Sequence, residues 1–429
     1  MTVPNKPPKG FKDVYNKEAW LENVVSQALT NLHYSWGYQL LKLPIIERET
    51  SFSKEVVGSS PWPEWNDKNC IPVMLDDYDQ DYRTVGSLNG LLIPEGTVSV
   101  ARWLSTIIEK EGSKTLPLKI MYNCPCFRNE NIESLVEGHK LRQFDQFGME
   151  ILGSSSQYAD VETMFLIVEG LEHLGVNRKD IVVRLGDIRL FNALAKESKL
   201  NEDATIYCKS LMDEIAESRA KGDNTKGFKT KLFERINYNS LDSELQRAWS
   251  NLSDVSTTQD LLPKLSKKLE SDNVENLIKL SKDLEGLNVK SILDLAVVRS
   301  HEYYTSVVME VDVYAPNHTV IEIAGGGRYD RLISPFTKEE HEPIPAIGYA
   351  YGLQRVCSLL NKISASDNIE FTMRLNSEQK VLLPQSGNPI EDYKLAGRKI
   401  KEGFVADVFL GANSSIEEYA DRNDAVILR

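Results

Sequence analysis

Met121-Tyr-Asn-Cys-Pro-Cys-Phe-Arg128-Asn-Glu130, followed after a polar stretch by Leu141-Arg-Gln-Phe-Asp-Gln146-Phe-Gly-Met-Glu150, decides how this chain is read. Each half alternates apolar and polar residues, the period-two pattern of a strand with one buried face. Asn131 to Lys140, with two glutamates and a glycine, joins them. The pair predicts an antiparallel hairpin with a long tip. Arg128, Glu130, Arg142, Gln146 and Glu150 fall on its polar face. Such a row can hold a phosphate, a carboxylate and an ammonium side by side.

Four further segments stand around the hairpin in the sequence. Ile93-Pro-Glu95-Gly-Thr97 opens a predicted helix. Val298-Arg299-Ser-His-Glu302-Tyr303-Tyr304-Thr305 precedes a predicted strand. Ala324-Gly-Gly-Gly-Arg328-Tyr-Asp330 and Gly348-Tyr-Ala-Tyr-Gly352-Leu-Gln-Arg355 follow. In this order the segments resemble the class II aminoacyl-tRNA synthetases, and among them histidyl-tRNA synthetase and its paralogues. The resemblance runs from about Lys9 to about Leu360, with a weaker tail to Arg429. It implies an α/β (α+β) fold: a mixed, mainly antiparallel sheet flanked by helices, with a helical insertion and a small C-terminal α/β domain.

The chain has 429 residues, enough for two or three domains. No run of eighteen apolar residues exists, so no membrane span is expected. Met1 to Gly10 lacks the apolar segment of a secretory signal. Five cysteines (Cys70, Cys124, Cys126, Cys208, Cys357) form no CxxC pattern, an odd set that fits a reducing cytoplasm. Cys124 and Cys126 share a strand face with no second ligand pair near, so buried thiols are expected rather than a metal site. The net charge of -13 argues against a generic nucleic-acid binder but leaves room for a local basic patch. Lys264, Lys267 and Lys268 are candidates, with a solvated helix face as the plainer reading.

Lys17 to Tyr34 reads as a helix, with Trp20, Val24, Val25, Ala28, Leu29 and Leu32 at helical spacing. Tyr38 to Ile46 reads as a strand ending at Pro44, and Ser59 to Leu91 as short strands and a surface loop. Tyr158 to Leu174 is predicted helical and Ile181 to Gly186 a strand. From Leu190 to Leu287 helical patterns replace strand alternation, which predicts an inserted helical domain. Residues 1–189 and 288–365 would then be two parts of one catalytic domain. Asn361 to Glu370 reads as a linker. Across 371–429, Lys380–Pro384, Ile390–Glu402, Val405–Leu410, Ser415–Arg422 and Asp424–Leu428 alternate strand and helix, a small parallel α/β domain. It resembles the family's anticodon-binding domain, shortened by one strand and a terminal helix.

Within the resemblance each site residue has an implied role. The reaction is attack of an amino-acid carboxylate on the α-phosphorus of ATP, with Mg2+ on the phosphates and pyrophosphate leaving. Arg128 and Arg299 are the implied catalytic arginines, since a guanidinium grips two phosphate oxygens and stays charged. Arg128, Glu130 and Arg355 are implied ATP-binding residues. Glu95, Thr97, Gln146, Glu150, Arg299, Tyr303 and Tyr304 are implied to bind the amino acid, with Glu150 and Tyr304 on the imidazole nitrogens of histidine. Plainer readings exist for each. Glu95 and Thr97 would serve equally as helix caps, Arg128 as an ion-pair partner of Glu130 or Glu150, and Arg355 as an ordinary helix arginine. Arg299 could be a structural arginine, and His301 a structural histidine beside it.

Ile93 stands where the family carries arginine, Ser300-His301-Glu302 replaces Gly-Leu-Asp, Ser306 replaces glycine, and Asn131 replaces an arginine in a lengthened hairpin tip. The substrate is therefore expected to be histidine or a related amino acid, and the acceptor tRNA, another amine, a thiol or a carrier protein. The resemblance also implies a homodimer. A second reading is a non-catalytic paralogue: the histidine-sensing regulatory subunit of ATP phosphoribosyltransferase. That group usually lacks Pro-Glu-Gly-Thr, which stands here at Pro94 to Thr97.

Overall fold

The computed structural model describes residues 5–58, 70–78, 84–129, 141–254, 271–299, 303–316, 319–337, 343–363 and 380–428. The quoted hairpin forms as two ten-residue strands, β5 (Leu118–Phe127) and β6 (Gln143–Leu152), in antiparallel register with Cys124 opposite Gln146 and Ile120 opposite Glu150. Its tip from Glu130 to Lys140 lies outside the described residues. The pair sits inside an eight-stranded sheet of order β1-β5-β6-β11-β10-β9-β7-β8. The other members are β1 (Gln39–Leu41), β7 (Ile181–Asp187), β8 (Ser291–Leu293), β9 (Val307–Ala315), β10 (Thr319–Arg328) and β11 (Ala346–Gly352). Only the outer pairs β1–β5 and β7–β8 are parallel. The fold is thus the expected mixed, mainly antiparallel sheet flanked by helices.

Alternation along the strands sorts side chains to two faces, and both are covered. Met121, Phe147, Met149 and Ile151 enter a core with Leu21, Val25 and Leu29 of helix α1 (Lys17–Ser35) and with Leu166 and Val356. Ile120, Tyr122, Cys124 and Cys126 enter a second core with Val98, Ala101 and Leu104 of helix α2 (Thr97–Glu111). The polar face of the hairpin is therefore half-buried at Arg128, Arg142 and Gln146 and fully buried at Glu150, which is 1% exposed. Behind the sheet, α1 meets β11 through His33, whose ring nitrogens lie 2.7 Å from the Leu29 carbonyl and 2.6 Å from the Tyr349 hydroxyl. Burial holds His33 down to about 4, so it is neutral there. Trp20 leaves the apolar stripe of α1 and is 54% exposed.

The strand expected over Tyr38 to Ile46 is cut short. Pro44 has no N–H to donate, and Ile46 begins β2 (Ile46–Arg48) in a separate antiparallel sheet with β3 (Ile71–Tyr78) and β4 (Thr84–Leu92). β3 and β4 span eight and nine residues, longer than the short strands expected there. Residues 59–69 lie outside the described residues.

Helix α3 (Gln157–His173) covers the rear face. Between β7 and β8 come α4 (Ile188–Glu197), α5 (Glu202–Lys221), α6 (Lys226–Arg235), α7 (Ser243–Asp254) and α8 (Ser271–Gly286). Their buried Phe191, Met212, Trp249 and Leu277 belong to the same continuous core as the sheet. Lys264, Lys267 and Lys268 lie outside the described residues. After β11, helix α9 (Leu353–Lys362) packs on α1.

At the C-terminal end β12 (Lys380–Leu383), β13 (Val405–Val408) and β14 (Ala425–Ile427) form a parallel sheet of order β13-β12-β14, with α10 (Pro389–Lys401) and α11 (Ile416–Arg422). A buried charge cluster fastens it. The Lys119 ammonium on β5 lies 2.9 Å from Glu162 of α3 and 2.5 Å from Asp407 of β13. The hydroxyls of Tyr38 and Tyr393 also donate to Glu162, at 2.8 and 3.0 Å. Two carboxylates around one ammonium are tolerated in an apolar setting because each has further donors.

Candidate functional site

Two adjoining regions emerge on the face of the sheet covered by α2. The first surrounds Glu150. Its carboxylate accepts from Thr97 Oγ1 at 3.0 Å, from the Tyr329 hydroxyl at 2.6 Å and from the Tyr122 hydroxyl at 3.3 Å. Room for it comes from Gly348 on the neighbouring strand, where a Cβ would fall 1.6 Å from Glu150 Oε2. Burial pushes Glu150 up to about 8, against the lowering pull of these hydroxyls.

Glu95 lies at the N-terminus of α2, where Thr97 N–H and Val98 N–H donate to its carboxylate at 3.0 and 2.8 Å. It thus caps the helix, and burial raises its pKa against those hydrogen bonds. Tyr303 approaches it, with its hydroxyl 3.5 Å from Glu95 Oε2. Gln146 receives the Gly96 N–H at 2.7 Å. Glu95, Thr97, Gln146, Glu150 and Tyr303, far apart in sequence, are therefore brought into one largely buried hydrogen-bonded cluster. It is acceptor-rich, with two carboxylates and an amide oxygen, groups suited to an ammonium or to ring N–H groups.

Arg128 follows β5 at the rim. Its Nε donates to the Pro94 carbonyl at 3.0 Å, and its guanidinium lies 5.1 Å from the centre of the Phe144 ring. Its charge acts on Glu95. Cys124 and Cys126 are both buried, with their sulfurs 3.9 Å apart. Glu130 and His301 lie outside the described residues.

The second region centres on Arg299. Its backbone is left-handed, with φ +52°, a strained conformation for arginine that clusters at functional sites. Nη1 donates to Glu310 at 3.1 Å and to Glu322 at 3.2 Å. The guanidinium lies over Gly325, where a Cβ would come 2.6 Å from its nitrogen. Arg355, at the start of α9, donates from Nη1 to the Glu322 backbone carbonyl at 3.0 Å. Below, Arg184 of β7 grips Glu310 at 2.5 Å and Asp312 at 2.6 Å. Asp213 of α5 joins from the inserted helices, its pKa raised well above normal by burial and by the Glu310 charge.

Tyr303 and Tyr304 stand between the two regions with ring centres 4.9 Å apart. Tyr304 is pushed up to about 12 by burial, with the Arg299 charge opposing and Glu95 and Glu150 adding to the rise. The tyrosine hydroxyls that hold the Glu150 carboxylate are those of Tyr122 and Tyr329.

Sequence reasoning missed Tyr122, Tyr329, Glu310, Glu322 and Asp213. Tyr122 was legible, because it alternates onto the same face as Gln146 and Glu150. Glu310 and Asp312 carried a signal too: two charges two apart inside Val307-Val-Met-Glu-Val-Asp-Val313, an otherwise apolar strand. Asp213, in a helix, carried none.

The model of the histidyl-tRNA synthetase family matches residues 10–356. The chain belongs to that family. Among curated relatives, the histidine–tRNA ligase of Methanococcus maripaludis is 25% identical over 406 residues, covering 92% of this chain and 88% of the relative. The histidine–tRNA ligase of Sulfolobus acidocaldarius is 28% identical over 427 residues, covering 95% and 91%. A Bacillus halodurans protein described as an ATP phosphoribosyltransferase regulatory subunit/histidyl-tRNA synthetase superposes with a TM-score of 0.64 at 20% identity, over 100% of this chain and 98% of its own. That last likeness is one of fold. Among the described residues, no helix of this family member is long and apolar enough to cross a membrane.

Proposed function

We propose that this chain activates histidine or a related amino acid with ATP, forming an aminoacyl adenylate for transfer to tRNA or another acceptor. The observation that carries the reading is the nearness of two side-chain clusters: the acceptor-rich one around Glu150 and Glu95, and the one that joins Arg299 and Arg355 through Glu322, with Tyr303 at Glu95 and Tyr304 beside it. In this reading the acceptor cluster takes the ammonium and the side chain. The amino-acid carboxylate attacks the α-phosphorus, the bond to the pyrophosphate oxygen breaks, and Arg128 and Arg299 face the charge that builds on phosphorus. Arg355, with Glu130 from the hairpin tip, belongs to the nucleotide side. Magnesium enters as the counter-ion of the ATP phosphates. Glu310 and Glu322 are already paired with Arg299, and no group of three or more metal-type ligands stands together among the described residues.

Under this reading residues 1–189 and 288–365 are the two parts of the catalytic domain, 190–287 the insertion and 371–429 an anticodon-binding-like domain. Exposed apolar side chains on α1, β1 and β3 (Trp20, Tyr34, Leu40 and Met74) support a homodimer. All five cysteines are free thiols, in keeping with a cytoplasmic setting. ATP–pyrophosphate exchange across a panel of amino acids tests the activity, and exchange dependent on histidine or a related ring is expected. A charging assay with total tRNA then separates acceptors: weak or absent charging is expected, because the basic residues of α10 are balanced by Glu391, Asp392 and Glu402. The regulatory reading draws support from the fold likeness to the Bacillus halodurans protein. Binding of histidine without any exchange would favour it.

A further inference from the structure

Strand β10 does not run regularly past β9. Glu322 pairs with Asp312 and Ala324 with Val311, so Ile323 is an extra residue, a β-bulge. The bulge changes which way Glu322 faces. Without it, Glu322 would share a face with Ala324; with it, Glu322 stands on the face of Asp312 and Glu310, beside Arg299. Pairing of β10 with β11 also ends at Ala324 opposite Tyr351, so the Glu322 carbonyl has no partner on β11 and accepts from Arg355 instead.

One residue therefore touches two arginines that come from different parts of the chain. Its carboxylate takes Arg299 Nη1 at 3.2 Å, and its carbonyl takes Arg355 Nη1 at 3.0 Å. Glu310 cannot substitute for it. Glu310 is 8% exposed at its side chain and already clamped by Arg184 at 2.5 Å, whereas the Glu322 side chain is 33% exposed and pairs with Arg299. Burial would raise the Glu322 carboxyl, but the charges of Arg299, Arg355 and Arg184 outweigh it and hold it below the usual range. It is therefore ionised throughout the neutral range and a permanent anchor.

We propose that Glu322, presented by the bulge at Ile323, is a positioning residue that sets Arg299 and Arg355 in one fixed relation across the nucleotide side of the site. The inference rests on the activation reading above and adds to it a residue that need not touch substrate. A guanidinium on a long side chain is free to adopt many rotamers, and two of them must be in place together for an in-line displacement.

The test is a double-mutant cycle in the full chain. Glu322→Ala should lower kcat for pyrophosphate exchange by about 10- to 100-fold while KM for the amino acid stays within about threefold. Glu322→Gln, which keeps the volume and an acceptor oxygen, should fall between the two. On an Arg299→Ala background, Glu322→Ala should cost less than about threefold more, because the group it positions is gone. Full additivity, or unaltered kcat in Glu322→Ala, overturns the proposal. Arginine side-chain NMR gives a readout free of activity. Glu322→Ala should shift and broaden the Nε–H signal of Arg299, assigned with a lysine variant, while the Arg355 signal should move less, because alanine keeps the backbone carbonyl that holds it. An unmoved Arg299 signal overturns the proposal even where exchange is absent, and absent exchange in the unaltered protein counts against the activation reading alone.

Discussion

Glu150 and Glu322 are the same kind of residue on neighbouring parts of one sheet, and their surroundings drive them in opposite directions. Glu150 is ringed by hydroxyls from Thr97, Tyr122 and Tyr329, with no ion pair among the described residues, and burial raises it to about 8. Glu322 faces arginines and is held below the ordinary carboxylate range. Hydroxyl dipoles only partly replace the water a carboxylate loses, whereas a guanidinium replaces it with a full charge. One end of the candidate site is thus poised to exchange a proton near neutrality, and the other is permanently ionised.

The severest way to break the contrast is to remove the cation at the charged end. Arg184→Met would leave Glu310 and Asp312 short of their main partner, both buried, and should destabilise the fold by about 3–5 kcal/mol in chemical denaturation. A loss under about 1 kcal/mol, the range of surface pairs, would mean the network is not desolvated as drawn.

A second test sharpens the contrast through pH. The folded pKa of Glu150 lies above its unfolded value, so its contribution to stability is fully present below the unfolded carboxylate pKa and is lost as pH rises through about 8. Between the unfolded carboxylate pKa and about 8, stability of the unaltered protein should fall by about 5 kcal/mol more than that of Glu150→Gln. Parallel curves for the two proteins would remove Glu150 from the account.

Two smaller effects compare the tyrosines. Tyr329→Phe removes the shortest hydrogen bond to Glu150 and should weaken histidine binding by about 1–3 kcal/mol in calorimetry, much as Glu150→Ala would. Tyr304→Phe should cost about 0.5–1.5 kcal/mol, the value of one ordinary hydrogen bond to the ring. If Tyr304→Phe costs the more, the ring of the amino acid sits nearer Arg299 than Glu150.

Much of this was legible along the chain. Period-two alternation in Met121–Phe127 and Leu141–Glu150 located the hairpin and put Gln146 and Glu150 on one face, because strand geometry alone dictates it. Pro94 to Thr97 announced a helix start, and Glu95 does cap it. Helical spacing marked the stretch between β7 and β8. Errors came where local pattern met tertiary demand. Trp20 fits the apolar stripe of α1 yet faces outward, and β1 stops at Leu41, short of the end expected at Pro44.

By itself, then, the sequence determined the elements, their order and the faces of the strands, all of which follow from the short-range geometry of the backbone. It also determined the family, through the order of its segments. Only the tertiary structure decided the partners and charge states. Tyr122 and Tyr329 reach Glu150 because the sheet sets β5 and β11 on either side of β6 and brings Tyr329, just past β10, to the same carboxylate. Glu322 reaches Arg299 because one extra residue turns it to the other face. Protonation depends on which groups lie within a few ångströms after burial, and a linear sequence carries no such distance.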